Sequence, residues 1–582
     1  MIRKFLAIGS LWALSASLVF SQGNKVSWDL QKEDPSASVN VIVQFKHNLV
    51  PADHQKIYAR GGTLRRSLSL VKSGAYTLSA REARDLAKDP EVAYISVDRK
   101  VSRMMDNSAA AVNAPVAWQS GLDGSGIGVA VIDSGVSNIP DLGKRIVYSQ
   151  SFVAGDADTQ DQYGHGEHVA GSIAGNGASS TCSGCTRVFR GIAPNANIIN
   201  LRVLDENGAG SDSQVIAAIQ QAIALQSTYN IRVINLSLGR GVYESYTLDP
   251  MCQAVEAAWK AGIVVVVAAG NDGRDNSMGT EGYGTIYAPG NDPDVITVGA
   301  MNTMGTPQIS DDIMASYSSK GPSLVDYVVK PDLVAPGNQV VSTQAPPGVD
   351  SVTGVSFVPT LLTTEPTSLV LLSYYEQTNS TADSTRYLQL SGTSMATPVV
   401  SGAAALLIQQ NPRITPDQVK AALMLTADKS LPASSSVTDP TTGITYTDYD
   451  DIFTVGAGYL NIAAALAHIT LPPGTALSPT VSFNSTNGTA TLVFDPSSIW
   501  ANQSLLGSQS LSASQAVWGA GLVNANNTLT ALQSVSGQSA IWGQSAIWGQ
   551  SAIWGQGAIW GQGTDTADPV SNASSILLNG DN

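Results

Sequence analysis

Three distant segments carry residues able to perform nucleophilic chemistry together. Asp133 closes Val131-Ile-Asp-Ser-Gly135 at the end of an apolar run. His165 lies in Tyr163-Gly-His-Gly-Glu-His168 and is read as opening a helix. Ser394 lies in Ser391-Gly-Thr-Ser-Met-Ala-Thr-Pro398, ahead of a helical stretch over 399–407 whose first turn is read as holding Pro398. A serine hydroxyl is a poor nucleophile near neutral pH. It needs an imidazole to accept its proton, and the imidazole needs a carboxylate to fix its tautomer and stabilise the cation. A helix N-terminus adds unpaired N–H groups and a positive dipole, so the Ser394 N–H can bind an oxyanion. The amide of Asn271, in Ala268-Ala-Gly-Asn271, is the candidate second donor; loss of such a donor costs about 10²–10³ in turnover.

The elements that must position these groups follow from hydrophobic patterning. Residues 128–133, 196–203, 232–237 and 263–269 are near-continuous apolar runs of the kind found in parallel strands buried on both faces. Helical patterns over 213–225 and 250–261 lie between them. The expected class is α/β, a three-layer domain over 106–470 with a mostly parallel sheet and helices on both faces. Residues 22–105 read as a small α/β unit with strands at 39–45, 75–78 and 92–97 and a helix at 54–59. Ser79 caps a second helix there, with Glu82 three residues on.

The three segments, in the order Asp, His, Ser, resemble the subtilisin-type serine proteases, and the resemblance extends from residue 22 to about 465. Asn235-Leu-Ser-Leu-Gly239, Lys330-Pro-Asp-Leu-Val-Ala-Pro-Gly337 and Gly456-Ala-Gly-Tyr-Leu-Asn461 carry it further. It implies a secreted serine endopeptidase with Asp133, His165 and Ser394 as triad and Asn271 as oxyanion donor. It also implies that Ser237, Leu238 and Gly239 and, opposite, Gly208, Ala209 and Gly210 hold the substrate backbone as an added strand. Ala268, Ala269 and Gly270 with 237–239 are expected to form an open pocket without a fixed charge, taking a large apolar side chain. Residues 22–105 resemble the family's propeptide, an intramolecular inhibitor and folding aid removed by a self-cut near 104–107. That segment carries 14 Lys and Arg against 9 Asp and Glu, whereas 106–582 carries 15 against 37. The opposed charges fit mutual attraction.

Three features depart from the family pattern. Glu167 stands where Thr is usual, and a carboxylate there is expected to raise the His165 pKa. Val399 stands where His is usual and is read as packing. The stretch 338–390 is longer than the usual connection and is expected to shape the cleft or cover it.

Other readings are weaker. His165, Glu167 and His168 form no HExxH, and there are only five histidines, which argues against a metal hydrolase; His168 is read as a packing residue. Gly124-Ser-Gly-Ile-Gly128 precedes its strand, the wrong order for a dinucleotide loop. Gly392-Thr-Ser-Met-Ala396 lacks the second glycine of a nucleophile elbow. Asp156, Asp158 and Asp161 leave room for structural calcium, but a solvated acidic turn is the preferred reading. No cofactor is required for the chemistry. The alternative from another class is a non-catalytic peptide-binding or adhesive protein on a protease scaffold.

Composition sets the outer limits. The chain has 582 residues, net charge −15 and 13% charged residues, with 43% hydrophobic residues and a mean hydropathy of +0.05. It can bury a large core, and its acidity argues against nucleic acid as a partner. Three cysteines exclude a disulfide scaffold; one small loop disulfide is expected, and the sequence leaves open which two of Cys182, Cys185 and Cys252 form it. Residues 1–21 read as a signal peptide cut after Ser21, too short an apolar run to span a bilayer. Nothing later is apolar enough to span one, so an exported protein is expected.

Residues 471–490 read as a linker, 491–562 as a hexapeptide repeat and 563–582 as a tail. Ser-Ala-Ile-Trp-Gly-Gln recurs from Ser539, Ser545 and Ser551, and aliphatic residues keep the phase back to Val493 and Ile499. Trp500, Trp518, Trp542, Trp548, Trp554 and Trp560 share one phase. An even period fixes one face of an extended chain, while a helix would turn each copy by about 240°. The repeat is therefore read either as stacked β-structure with aliphatics on one side and a Trp stripe on the other, able to bind a surface or partner, or as a low-complexity tail.

Overall fold

The computed structural model describes residues 25–97 and 107–501, short breaks aside, together with 580–581. The expected signal peptide, most of the self-cut region and nearly all of the repeat lie outside them. The chain divides into two compact units, 1–102 and 103–582.

Among the described residues the first unit is a four-stranded antiparallel sheet in the order β2–β3–β1–β4, packed with helices. Its elements are β1 (Ser38–Phe45), α1 (Pro51–Tyr58), β2 (Thr63–Leu68), β3 (Ser73–Ser79), α2 (Ala80–Leu86) and β4 (Val92–Val97). Val41, Val43 and Phe45 alternate along one face of β1 and meet Ile57, Ala83 and Leu86 in one apolar cluster. Ser79 caps α2 as expected, its hydroxyl accepting the Glu82 N–H at 3.3 Å. Strand β2 carries no apolar alternation; five of its six residues are exposed.

The second unit is built on an eight-stranded sheet. Its strands are β5 (Gly128–Asp133), β6 (Ile146–Ser151), β7 (Asn197–Arg202), β8 (Ile231–Leu236), β9 (Val264–Ala268), β10 (Ile296–Asn302), β11 (Ile313–Met314) and β12 (Leu333–Pro336). They run β11–β10–β9–β8–β5–β7–β6, with β12 also beside β10; only β11 is antiparallel. Strands β5, β9 and β10 are buried at every residue, the signature of a sheet covered on both faces. Two helix pairs supply the cover: α3 (His165–Ala174) with α6 (Thr393–Gln410), and α4 (Asp212–Tyr229) with α5 (Pro250–Lys260). The mixed α/β class expected from the apolar runs is present.

Two expectations about the chain beyond 338 need correction or detail. The long connection is built: β13 (Val340–Thr343), β16 (Leu369–Leu371) and β17 (Asp383–Leu390) form a sheet, and β14 (Gly348–Val349) pairs with β15 (Ser356–Phe357). Residues 471–490, expected as linker, include strand Thr480–Asn484, paired with Thr489–Val493. Ala476, Val481, Ile499 and Trp500 are buried in a second core with Val329, Met424 and Phe453. Ile499 and Trp500 thus share one apolar cluster in a 3-10 turn while Val493 is exposed, so the alternating strand face fails at this first part of the repeat.

Candidate active site

The residues singled out for chemistry sit at the carboxyl ends of neighbouring parallel strands, where a wound α/β sheet opens a crevice. Asp133 is the last residue of β5, and Ser237–Gly239 follow β8. The segment after β9 leads to Asn271, and the loop after β7 carries Gly208–Gly210. His165 opens α3 and Ser394 is the second residue of α6. His165, Asn271, Ser394, Gly208–Gly210 and Ser237–Gly239 all line one cleft of about 580 Å³.

Asp133 lies behind the imidazole: His165 Nδ1 meets Asp133 Oδ1 at 2.7 Å, both side chains almost fully buried. The contact places the Nδ1 proton toward the carboxylate and leaves Nε2 as the basic nitrogen. Burial alone disfavours the imidazolium, but Asp133 and then Asp161 outweigh it, and the His165 pKa is raised above 6.5. Asp161 is an unforeseen part of the site. Its buried carboxylate accepts the N–H groups of Gly164 and Glu167 and the Ser134 hydroxyl, all within 2.9 Å, so it fixes the turn entering α3. The four-residue spacing to His165 was the available signal.

Glu167 does not act on His165 as expected. It is fully buried, and desolvation raises its pKa well above 4.5 against the single N–H it accepts, from Ser137. Burial favours its neutral acid form, and among the described residues no cation pairs with it. His168 is a packing residue: Nε2 donates to the Val340 carbonyl, and burial lowers its pKa to about 3. His165, Glu167 and His168 point to three different partners and cannot share a metal.

The nucleophile segment is braced by reciprocal serine contacts. Ser394 Oγ donates to the Ser237 carbonyl at 3.0 Å, and Ser237 Oγ donates to the Ser394 carbonyl at 2.8 Å. Asn235 Nδ2 donates to Ser237 Oγ, and Ser401 Oγ donates to Asn235 Oδ1. Pro398, expected in the first turn, is the sixth residue of α6. It cannot supply the N–H that the Ser394 carbonyl would receive four residues on, and the Ser237 hydroxyl takes that place.

Asn271 is oriented by its acceptor side. Oδ1 accepts the Thr393 N–H at 2.9 Å and the Thr393 hydroxyl at 3.1 Å, which fixes the amide and leaves Nδ2 beside Gly392. Ala268, Ala269 and Gly270, expected along the pocket, are buried instead. Gly270 exchanges hydrogen bonds with Thr393 Oγ1, so this segment seats Asn271. Nor is the cleft free of fixed charge. Arg240 lines it, paired with Asp212 at 2.8 Å and Asp249 at 3.0 Å. Val215, Leu238 and Met251 supply apolar lining.

The insertion borders this cleft. Gln160 and Gln162, just before His165, donate to the Val349 carbonyl and Asp350. Thr360 Oγ1 donates to the Glu206 carbonyl at 2.6 Å, two residues before Gly208. The solvated acidic turn is corrected by the same contacts. Asp158 is buried under Ser351 and Gln162, Asp161 is buried as described, and Asp156 pairs with Arg202 at 2.9 Å. Each of the three carboxylates thus already accepts a protein donor. Cys182 and Cys185 form the disulfide, leaving Cys252 as a buried thiol that donates to Asn291.

Residues 124–449 match the model described as the subtilase family. The chain is 36% identical to serine protease AprX of Bacillus subtilis (strain 168) over 352 residues, 59% of this chain and 71% of that protein. It is 33% identical to subtilisin E of the same organism over 436 residues, 73% and 94% of the two chains. Alkaline protease of Alkalihalobacillus alcalophilus is 35% identical over 353 residues, 60% and 72%.

Proposed function

Since the chain belongs to the subtilase family and is a serine endopeptidase, we propose that Asp133, His165 and Ser394 are its triad, with Asn271 and the Ser394 N–H as oxyanion donors. The observation that carries this is the buried 2.7 Å His165–Asp133 contact behind a cleft that also holds Ser394 and Asn271. The polypeptide lies as an extended strand between Gly208–Gly210 and Ser237–Gly239. Ser394 Oγ rotates from the Ser237 carbonyl to His165 Nε2, gives up its proton there and attacks the peptide carbonyl. The negative oxygen is met by Asn271 Nδ2 and the Ser394 N–H. His165 then returns the proton to the leaving amine. Water, deprotonated by the same nitrogen, releases the acyl group and regenerates Ser394. No cofactor enters.

Residues 22–105 are removed by self-cleavage near 104–107 after acting as inhibitor, and the protein works outside the cell after loss of 1–21. Their excess of basic residues against the acidic remainder supports the inhibitor role. Among the described residues no helix is long and apolar enough to cross a membrane. The apolar lining at Leu238, Val215 and Met251 supports a preference for apolar side chains. Expressed as Ser394→Ala, the full chain should keep residues 22–105 and be cut only when active enzyme is added. Unaided processing of that variant would overturn the assignment.

A further inference from the structure

Two residues near the end of the chain are seated in the second unit as a ligand would be. Asp581 is 5% exposed. Its Oδ1 accepts Arg274 Nη2 and the Ser316 hydroxyl, each at 2.6 Å, and its Oδ2 accepts the Ser316 N–H at 2.8 Å. Its backbone is read as well: the N–H donates to Asn338 Oδ1 at 2.8 Å, and the carbonyl accepts from Asn338 Nδ2 at 3.2 Å. Gly580 stands at φ +57°, and a side chain there would overlap Asn338 Oδ1 and Ser391 Oγ. The site therefore reads one carboxylate, one backbone N–H and C=O pair, and the lack of a side chain in the preceding residue.

We infer that Arg274, Ser316 and Asn338 form a binding site for a Gly–Asp peptide segment, filled in cis by Gly580–Asp581. The site joins the two segments that flank the reaction. Arg274 lies three residues beyond Asn271, and Ser391 and Asn338 border the turn into Ser394; Gly392 donates its N–H to the Gly337 carbonyl beside Asn338. Occupied, it clamps the loop that presents the oxyanion donor against the loop that presents the nucleophile. The charged contact from Arg274 Nη2 to Asp581 Oδ1, made by a side chain only 13% exposed, holds better than a surface pair because water competes poorly for it. Composition could not reveal this, since an Asn-Gly-Asp stretch reads as a turn.

The test uses the full chain carrying Ser394→Ala, so hydrolysis plays no part and its outcome is independent of the triad assignment. Gly580→Ala is added to empty the site. A fluorescent peptide of residues 575–582 should then bind saturably and raise the thermal midpoint toward that of the Ser394→Ala parent. Arg274→Gln should weaken binding about tenfold or more, and the same peptide with Ala in place of Gly580 should not bind. Absence of saturable binding, or binding indifferent to both changes, would overturn the assignment.

Discussion

The Ser394 carbonyl offers a sharp test of how the nucleophile segment is held. In an uninterrupted helix it would accept the N–H of residue 398, which is proline, so its donor is the Ser237 hydroxyl at 2.8 Å. Ser237→Ala removes that donor and also strips Asn235 Nδ2 of its 3.0 Å acceptor in a fully buried setting. Each stranded buried group costs about 1–3 kcal/mol, so the variant should lose about 2–6 kcal/mol of stability. Pro398→Ala supplies the missing N–H. In that background the carbonyl is again satisfied, and Ser237→Ala should cost about 1–3 kcal/mol less. The four proteins are compared by urea unfolding in the Ser394→Ala background, where self-digestion cannot intrude. Additive losses, with Ser237→Ala equally costly beside proline or alanine, would refute the reasoning.

Other outcomes follow from single contacts. Asn271→Ala should lower kcat by about 10²–10³ with little change in KM, a magnitude known from an oxyanion donor of a subtilisin and not worked out from this structure. Asp161→Asn removes a negative charge that helps raise the His165 pKa. Because catalysis needs neutral His165, the acid limb of kcat/KM should move to lower pH; a limb that stays in place removes Asp161 from the account. Glu167 is an acid whose folded pKa is raised, so the folded chain holds a proton the unfolded chain releases, and stability falls as pH rises past the unfolded value near 4.5. Glu167→Gln should therefore be no more stable than the parent in acid and progressively more stable toward alkaline pH. Equal thermal midpoints across the range would contradict that.

Much of the site was legible because its chemistry is local in sequence. Asp133, His165, Ser394 and Asn271 each sit at the end of a strand or the start of a helix that hydrophobic runs and helix-start residues announce. The strands β5, β7, β8 and β9 were readable for the same reason: burial on both faces leaves a continuous apolar run. What stayed hidden depends on burial of polar groups or on contacts across long separations. Asp158 and Asp161 read as a wet acidic turn because nothing local shows that Ser351, Gln162 and the α3 N-terminus will enclose them. Glu167 read as a charge because its desolvation is a property of the packed site. Strand β2 carries the polar sequence Thr-Leu-Arg-Arg-Ser-Leu, which has no buried face to betray it. Gly270, expected along the pocket, exchanges hydrogen bonds with Thr393, which also holds Asn271, a contact spanning more than a hundred residues.

The claim beneath all of this is that one serine becomes nucleophilic because His165 and Asp133 stand behind the same cleft. Mature enzyme treated with a peptidyl phosphonate ester and digested for mass spectrometry measures it directly. The adduct should fall on Ser394, and its rate of formation should collapse in His165→Ala. Stoichiometric loss of activity with the adduct on another residue, or labelling of Ser394 at an unchanged rate without His165, would contradict it.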